Sequence, residues 1–388
     1  MSANQRSTKR ERLLDWIRNG DPQDVPVLFF SALDVAAAYL HKDPRELTWP
    51  QAMPVIENIG VHGIYFVASP YPFDAIPFLD DISMDEKWDE LPGGTRRLTQ
   101  QIKTPQGTLR SVQEFPKDQG CYHREFFVKG DDDLPAFACY IRRATEEVVF
   151  NPLVARRVEQ NMTKAIDEMN GLLPTTIHVF CAAMELMSSW YMDQEIAIFT
   201  ICDHRSLMEE LMESHWRMTQ VWLELVAKNN LDIYNYTLNG LEWLSPDLYE
   251  RYMIPQARCI NEFAAAQGKL SWVHTCGKKK KLASDGVYQK MKVDVVESFS
   301  SPPTGDIDDL AKTRRDVGSD ITSRGGINVE FLYDEDLTRL RKQTEYVLDA
   351  TAGFRHMPGD TNSSSPPYPW KNIETVIDVV RQRGRLYE

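Results

Sequence analysis

Cysteine is scarce and badly spaced for cross-linking. Six occur in 388 residues, at positions 121, 139, 181, 202, 259 and 276, and none forms a Cys-x-x-Cys pair. A disulfide framework is excluded, and a reducing compartment, read as the cytoplasm, is the expectation. Phosphate-cradling glycine patterns are missing as well. Neither Gly-x-Gly-x-x-Gly nor Gly-x-x-x-x-Gly-Lys-Ser/Thr occurs, which removes the nucleotide-binding reading of an open α/β sheet. Positive charge is in deficit: Lys and Arg total 44 against 57 Asp and Glu, a formal net charge of −13. Most of the exterior would repel a phosphate backbone or an anionic lipid surface, so nucleic acid and membranes are not expected partners. No apolar run approaches the ~18 residues of a membrane helix. The polar, basic stretch from Met1 to Arg12 has no apolar segment behind it, so no leader is expected.

What is present is the material of a large core, with 42% apolar and 26% charged residues. Short apolar runs suited to buried parallel strands alternate with longer amphipathic stretches. Strands are predicted at 26–31, 63–68, 176–180, 232–236, 271–275, 293–299, 321–325 and 354–357. Helices are predicted at 10–19, 207–228, 246–267, 307–317, 334–352 and 370–383. This rhythm fits an α/β chain folded as one (β/α)8 TIM barrel domain over residues 1–388 better than an open doubly wound sheet. Residues 71–130 break the rhythm with Pro72, Pro77, Pro92, Gly93, Gly94, Pro105 and Gly107. They are predicted to form an inserted β-hairpin region after the second strand. Lys278 to Lys281 read as a solvated helix start, with attraction of an anionic group as the other reading.

In such a barrel the chemistry comes from the C-terminal strand ends and the loops beyond them. His274 and Cys276 stand two residues apart at one such end, and on extended backbone that spacing points both side chains to the same side. Mixed nitrogen and sulfur ligation suits zinc, which needs a third protein ligand in a catalytic site. Asp360, or second to it His356, comes from the last strand. Glu297, Tyr236, Asn239 and Glu242 come from other strand ends as candidate acid, base and positioning groups, while Arg324, Gly325 and Gly326 are candidates to contact substrate. Plainer readings exist for several of these residues. Glu297 is also readable as a buried structural carboxylate neutralised by Arg324, and His178 as a hydrogen-bonded interior histidine. Cys181, Cys202 and Cys259 read as small apolar residues, and the apolar positions from Met208 to Trp222 as core.

The order of several short motifs makes residues 232–383 resemble the uroporphyrinogen decarboxylase superfamily. They are Leu244-Ser245-Pro246 with Pro255, His274-Thr275-Cys276-Gly277, Arg324-Gly325-Gly326-Ile327, Pro358-Gly359-Asp360 and Trp370-Lys371-Asn372-Ile373. Thr104-Pro105-Gln106-Gly107-Thr108 resembles the hairpin of its methyltransferase-like members. True porphyrinogen decarboxylases carry arginines just after the first strand, where this chain has Phe29-Phe30-Ser31-Ala32-Leu33. The resemblance therefore leans to the corrinoid-linked methyltransferase branch, in which a His-x-Cys pair and a later cysteine bind zinc. His274 and Cys276 match two of those positions, and Asp360 stands at the third.

The resemblance implies zinc as a Lewis acid and methyl transfer from a small methylated substrate, such as an aryl methyl ether. The acceptor it implies is the Co(I) corrinoid (cobalamin) of a partner protein, because the Asp-x-His-x-x-Gly pattern of a corrinoid domain is absent from this chain. On this reading His274, Cys276 and Asp360 hold the metal. Glu297, Tyr236, Asn239 and Glu242 act in catalysis, and Arg324, Gly325, Gly326 and His356 contact substrate. Two alternatives stand beside it, a metal-independent carboxy-lyase and a barrel that binds a ligand without turnover. A homodimer is left open.

Overall fold

The computed structural model describes residues 8–67, 76–117, 120–169, 171–181, 186, 190–238, 244–275, 277–362, 367–383 and 385–387. Its strands are β1 (Tyr65–Val67), β2 (Ser83–Leu91), β3 (Thr95–Thr104), β4 (Gly107–Phe115), β5 (Tyr122–Glu125), β6 (Thr175–His178), β7 (Ile233–Thr237), β8 (Leu270–His274), β9 (Val295–Glu297), β10 (Thr322–Ile327) and β11 (His356–Asp360). Seven of them form one sheet in the order β1-β6-β7-β8-β9-β10-β11, and every pairing in it is parallel. Apart from the insertion, neighbours in sequence are neighbours in the sheet. That order requires a crossover between each pair, and helices such as Arg205–Ala227, Ile254–Ala266 and Leu337–Ala350 supply it. Burial on both faces explains why the strands read as apolar runs.

The predicted strand at 26–31 is present as a single bridge and not as a ladder. Leu28 N–H donates to Pro358 O at 3.1 Å and His62 N–H to Val27 O at 2.9 Å, so this segment touches both edge regions of the curled sheet. Two local features keep it short. Pro26 has no N–H to give, and the N–H of Phe30 goes to the Asp360 side chain at 2.8 Å. The approach here is close enough that a Cβ at Gly359 would lie 1.9 Å from Leu28 O.

Helix Lys9–Asn19 is fixed at its start by a reciprocal cap. Glu11 N–H donates to Thr8 Oγ1, and Thr8 N–H to the Glu11 carboxylate. Its Arg10 makes a two-point contact with the buried Asp232 carboxylate, which also accepts the N–H of Thr175 at 2.9 Å. The helix is thereby tied to the N-terminal ends of β6 and β7.

The insertion is larger than a hairpin. β2 to β5 form a four-stranded antiparallel sheet in sequence order, with Ser83 to Leu91 paired without interruption against Lys103 to Thr95. Ile102 and Leu109 are fully buried, and the β3–β4 turn lies against Ala136 of helix Leu134–Phe150. β2 is the terminal strand, and Asp85, Glu86, Asp89 and Glu90 flank its single Lys87.

Three further expectations are corrected. The stretch predicted as one helix over 246–267 contains a π-helical turn, Tyr249–Met253, before Ile254–Ala266. Pro255 cannot supply the regular amide bond there, and the wider turn accommodates its ring. Lys279 is not solvated: it is fully buried, with Nζ donating to Thr275 Oγ1 at 2.6 Å and Glu297 O at 2.8 Å. Cys202 and Cys259 are exposed and only Cys181 is buried, and all three are free thiols along with Cys121 and Cys139. Among the described residues no helix is long and apolar enough to cross a membrane.

Candidate active site

The parallel register sets His274 of β8 beside Glu297 of β9. From that juxtaposition a chain of charged contacts crosses four strands. His274 Nδ1 meets Glu297 Oε1 at 2.5 Å, and Arg324 of β10 donates Nη1–H to Glu297 Oε2 at 3.1 Å. Its Nη2–H goes to Asp360 Oδ1 of β11, and its Nε–H to Leu28 O at 3.1 Å. The guanidinium and both carboxylates are buried, while 14% of the His274 side chain reaches solvent. The histidine is thus the exposed end of a buried ionic relay.

The two carboxylates sit on opposite sides of their ordinary range. Burial would push Glu297 up. The charge and hydrogen bond of His274 and the charge of Arg324 outweigh it, however, and hold the group at about 2. For Asp360 burial wins against Arg324 and the Phe30 N–H, with Glu297 adding repulsion, and the group is pushed up to about 6. Just past Glu297, Ser298 takes a left-handed backbone with φ 67° and brings its hydroxyl to 3.4 Å from His274 Nδ1. Strain of this kind in a non-glycine residue is typical of constrained functional sites.

Aromatic residues form the rim. Phe30 meets His274 edge-on with centroids 6.0 Å apart and stacks on Phe66 at 5.7 Å, and the Arg324 guanidinium lies 5.6 Å from its centroid. Below them is a narrow cavity with free space for about one water, lined by Leu28, Phe30, Phe66, Asn235, Trp272 and the Glu297–Arg324 pair.

The other candidates fall elsewhere. Tyr236 faces helix Ile254–Ala266, where its hydroxyl accepts from Asn261 Nδ2 at 2.8 Å, and burial drives its pKa upward. His356 is packed between Ser323 Oγ (2.8 Å from Nδ1) and Gly325 O (3.1 Å from Nε2), and burial holds it at about 3. Gly325 and Gly326 adopt φ of 118° and 91°, but the close approaches they permit are to the backbone of Ser298 and Phe299 and to Val347. Neither they nor His356 lines the cavity. His178 lies with Nδ1 3.4 Å from Thr237 Oγ1, as a hydrogen-bonded histidine at the end of β6. Cys276, Asn239 and Glu242 lie outside the described residues. Asn235 was not singled out by sequence, although a lone asparagine in an apolar strand two residues before Thr237, the partner of His274, was a usable signal.

As a zinc site the described residues fit in part. A buried carboxylate on Nδ1 is the usual orienting partner of a metal-bound imidazole and directs ligation to Nε2, which is the arrangement of Glu297 on His274. Asp360 fits less well as placed, because its Oδ1 is already shared by Arg324 and the Phe30 N–H. Among the described residues no group of three His, Cys, Asp or Glu side chains is arranged to hold a metal ion.

No protein-family model and no curated protein matches the chain. Solved structures do. A methyltransferase from Methanosarcina mazei superposes with a TM-score of 0.59 at 12% identity, over 97% of this chain and 98% of that one. A Listeria monocytogenes protein described as a vitamin-B12-independent methionine synthase covers 94% of this chain and 97% of its own at 11% identity. Its TM-score is 0.39. At these identities the likeness is one of fold: the chain is similar in fold to the Methanosarcina methyltransferase along nearly its whole length.

Proposed function

We propose that this chain is an enzyme that moves a methyl group from a small methylated substrate, such as an aryl methyl ether, to the corrinoid of a separate partner protein. The proposal includes a complete (β/α)8 barrel closed by residues 26–31, and zinc at its C-terminal mouth. The observation that carries it is the contact of His274 Nδ1 with Glu297 at 2.5 Å, which presents an oriented imidazole at the strand ends where barrel enzymes do chemistry. The shared fold with a methyltransferase agrees with it.

When bound, zinc would supply Lewis-acid polarisation of the atom that bears the methyl group. The residues of this chain have separate tasks. His274 through Nε2 and Cys276 through its sulfur hold the metal. Glu297 fixes the tautomer and orientation of His274, and Arg324 holds Glu297 in place. Asp360 would serve as third ligand through Oδ2, its Oδ1 being held by Arg324. Phe30 and Phe66 form an apolar rim for the substrate, and the inserted sheet shapes the approach of the partner.

The carboxy-lyase alternative finds less support. Arg324, the buried arginine of the mouth, is spent on Glu297, Asp360 and Leu28 O and offers little to a substrate carboxylate. The deciding experiment is metal analysis after zinc reconstitution. The wild-type protein should hold about one equivalent, and Cys276→Ala should hold almost none while keeping its fold. Wild-type zinc below about a tenth of an equivalent would sink the proposal. Unchanged zinc in Asp360→Asn would remove Asp360 from the ligand set.

A further inference from the structure

Asn235 stands out among the polar groups around the cavity. The charges there are mutually satisfied: Glu297 by His274 and Arg324, and Arg324 by Glu297, Asp360 and a carbonyl. Thr176 donates its hydroxyl to Ile233 O at 3.1 Å. Asn235 is 4% exposed and lines the cavity, yet its side-chain amide makes no hydrogen bond to any described residue, while its backbone carbonyl accepts from Val179. Its amide borders the free space of the cavity, where the described residues offer it no partner, so its hydrogen bonds go to whatever occupies that space, a water or a group of a bound ligand.

We infer that Asn235 is the specificity-determining residue of this site, and that it reads a neutral hydroxyl or similar small donor–acceptor group of the substrate at the floor of the mouth. The chemistry of the cavity narrows the group. An amide offers one acceptor and two donors and carries no charge, so it suits a group that both gives and takes a hydrogen bond. Free space for about one water admits a hydroxyl and leaves no room for a carboxylate or a phosphate. Only the hydroxyl enters; the carbon skeleton stays outside the cavity, against the rim formed by Phe30 and the part-exposed Phe66. A site built around a buried hydrogen-bonding group rejects an analogue lacking that group, because the protein amide is then left unpaired.

This inference rests on the reading of the mouth as a small-molecule site and deepens it. The test is calorimetric binding of 2-methoxyphenol and methoxybenzene, which share the ring and methyl ether and differ by the hydroxyl, so no methyl acceptor is needed. Wild-type protein should bind 2-methoxyphenol about tenfold more tightly. Asn235→Leu, of similar volume, should bind the two within about twofold, chiefly by losing affinity for the hydroxylated ring. Asn235→Ser, which retains a short hydroxyl, should keep part of the preference and serves if the leucine variant does not fold. Equal binding of both rings by wild type, or full discrimination by either variant, would overturn the role of Asn235. Binding of neither ring by wild type would overturn the aryl-ether substrate itself and this inference with it.

Discussion

Removing the Arg324 guanidinium tests whether the mouth depends on its charge balance. Arg324→Met keeps a long apolar stem but leaves Glu297 with His274 and the Trp272 side chain, and Asp360 with the Phe30 N–H and the Tyr368 hydroxyl, none of which carries the fixed charge of a guanidinium. All three partners are at most 4% exposed. Breaking a buried pair costs about 3–5 kcal/mol because a charge is stranded, a large share of the ~5–15 kcal/mol that holds an average domain together. The loss should depend on pH in a defined sense. The Asp360 carboxyl is already pushed up to about 6, and without Arg324 it rises further. Between its usual value and the raised one the folded chain binds more protons than the unfolded chain, so its contribution to stability falls as pH rises through that window. The variant-minus-wild-type deficit, from which the titrating groups remote from Arg324 cancel, should be largest near pH 8 and smaller at pH 5.5. Urea unfolding at both pH values measures it. Arg324→Met combined with Asp360→Asn should recover part of the deficit at pH 8. A deficit below ~1 kcal/mol at pH 8, or one no smaller at pH 5.5, would refute the argument from stranded charge.

Other consequences can be measured separately. Glu297→Gln should weaken zinc binding by about 10–100-fold in a chelator competition, since it removes the carboxylate that orients His274; unchanged affinity would show that the pair is structural only. His62, His215 and His356 are each held at about 3 by burial. Between that value and about 6.5 the unfolded chain binds the extra protons, so stability is full above that range and falls as pH drops. From pH 7.5 to 5.5 the three together cost roughly 4 kcal/mol, offset by about 1 kcal/mol from Asp360. His215→Leu should flatten that slope by about a third, and an unfolding midpoint independent of pH over this range would contradict it. Gly359→Ala should cost about 3 kcal/mol, because its Cβ meets Leu28 O at 1.9 Å. Gly120→Ala, where nothing lies within 4 Å, should melt within a degree or two of wild type.

The sheet was legible because strands buried on both faces leave apolar runs: the predicted 176–180, 232–236, 271–275 and 321–325 fall on β6, β7, β8 and β10 with ends shifted by one to two residues. His274, Glu297, Arg324 and Asp360 were also legible as strand-end residues. Their linkage was not, since the contacts span 23, 27 and 36 positions and depend on register between strands. The same parity explains Tyr236. One step along β7 turns a side chain from the helix layer to the cavity, and it is Asn235 that faces inward. Lys279 was hidden in a run of four lysines, where the charge pattern averages a buried amine with its solvated neighbours. The inserted sheet was underestimated because β2 carries charge on both faces and shows no alternation to betray it.

That acidic border has a consequence for crowding. Two molecules meeting antiparallel along β2, centred between Lys87 and Trp88, would set Asp85 against Glu90 and Glu86 against Asp89. Carboxylates facing each other across a ladder repel. The nine-residue strand, unbroken by proline or bulge, would otherwise be a template for end-to-end growth. Its acidity lets the chain carry a long open ladder without seeding fibres of itself.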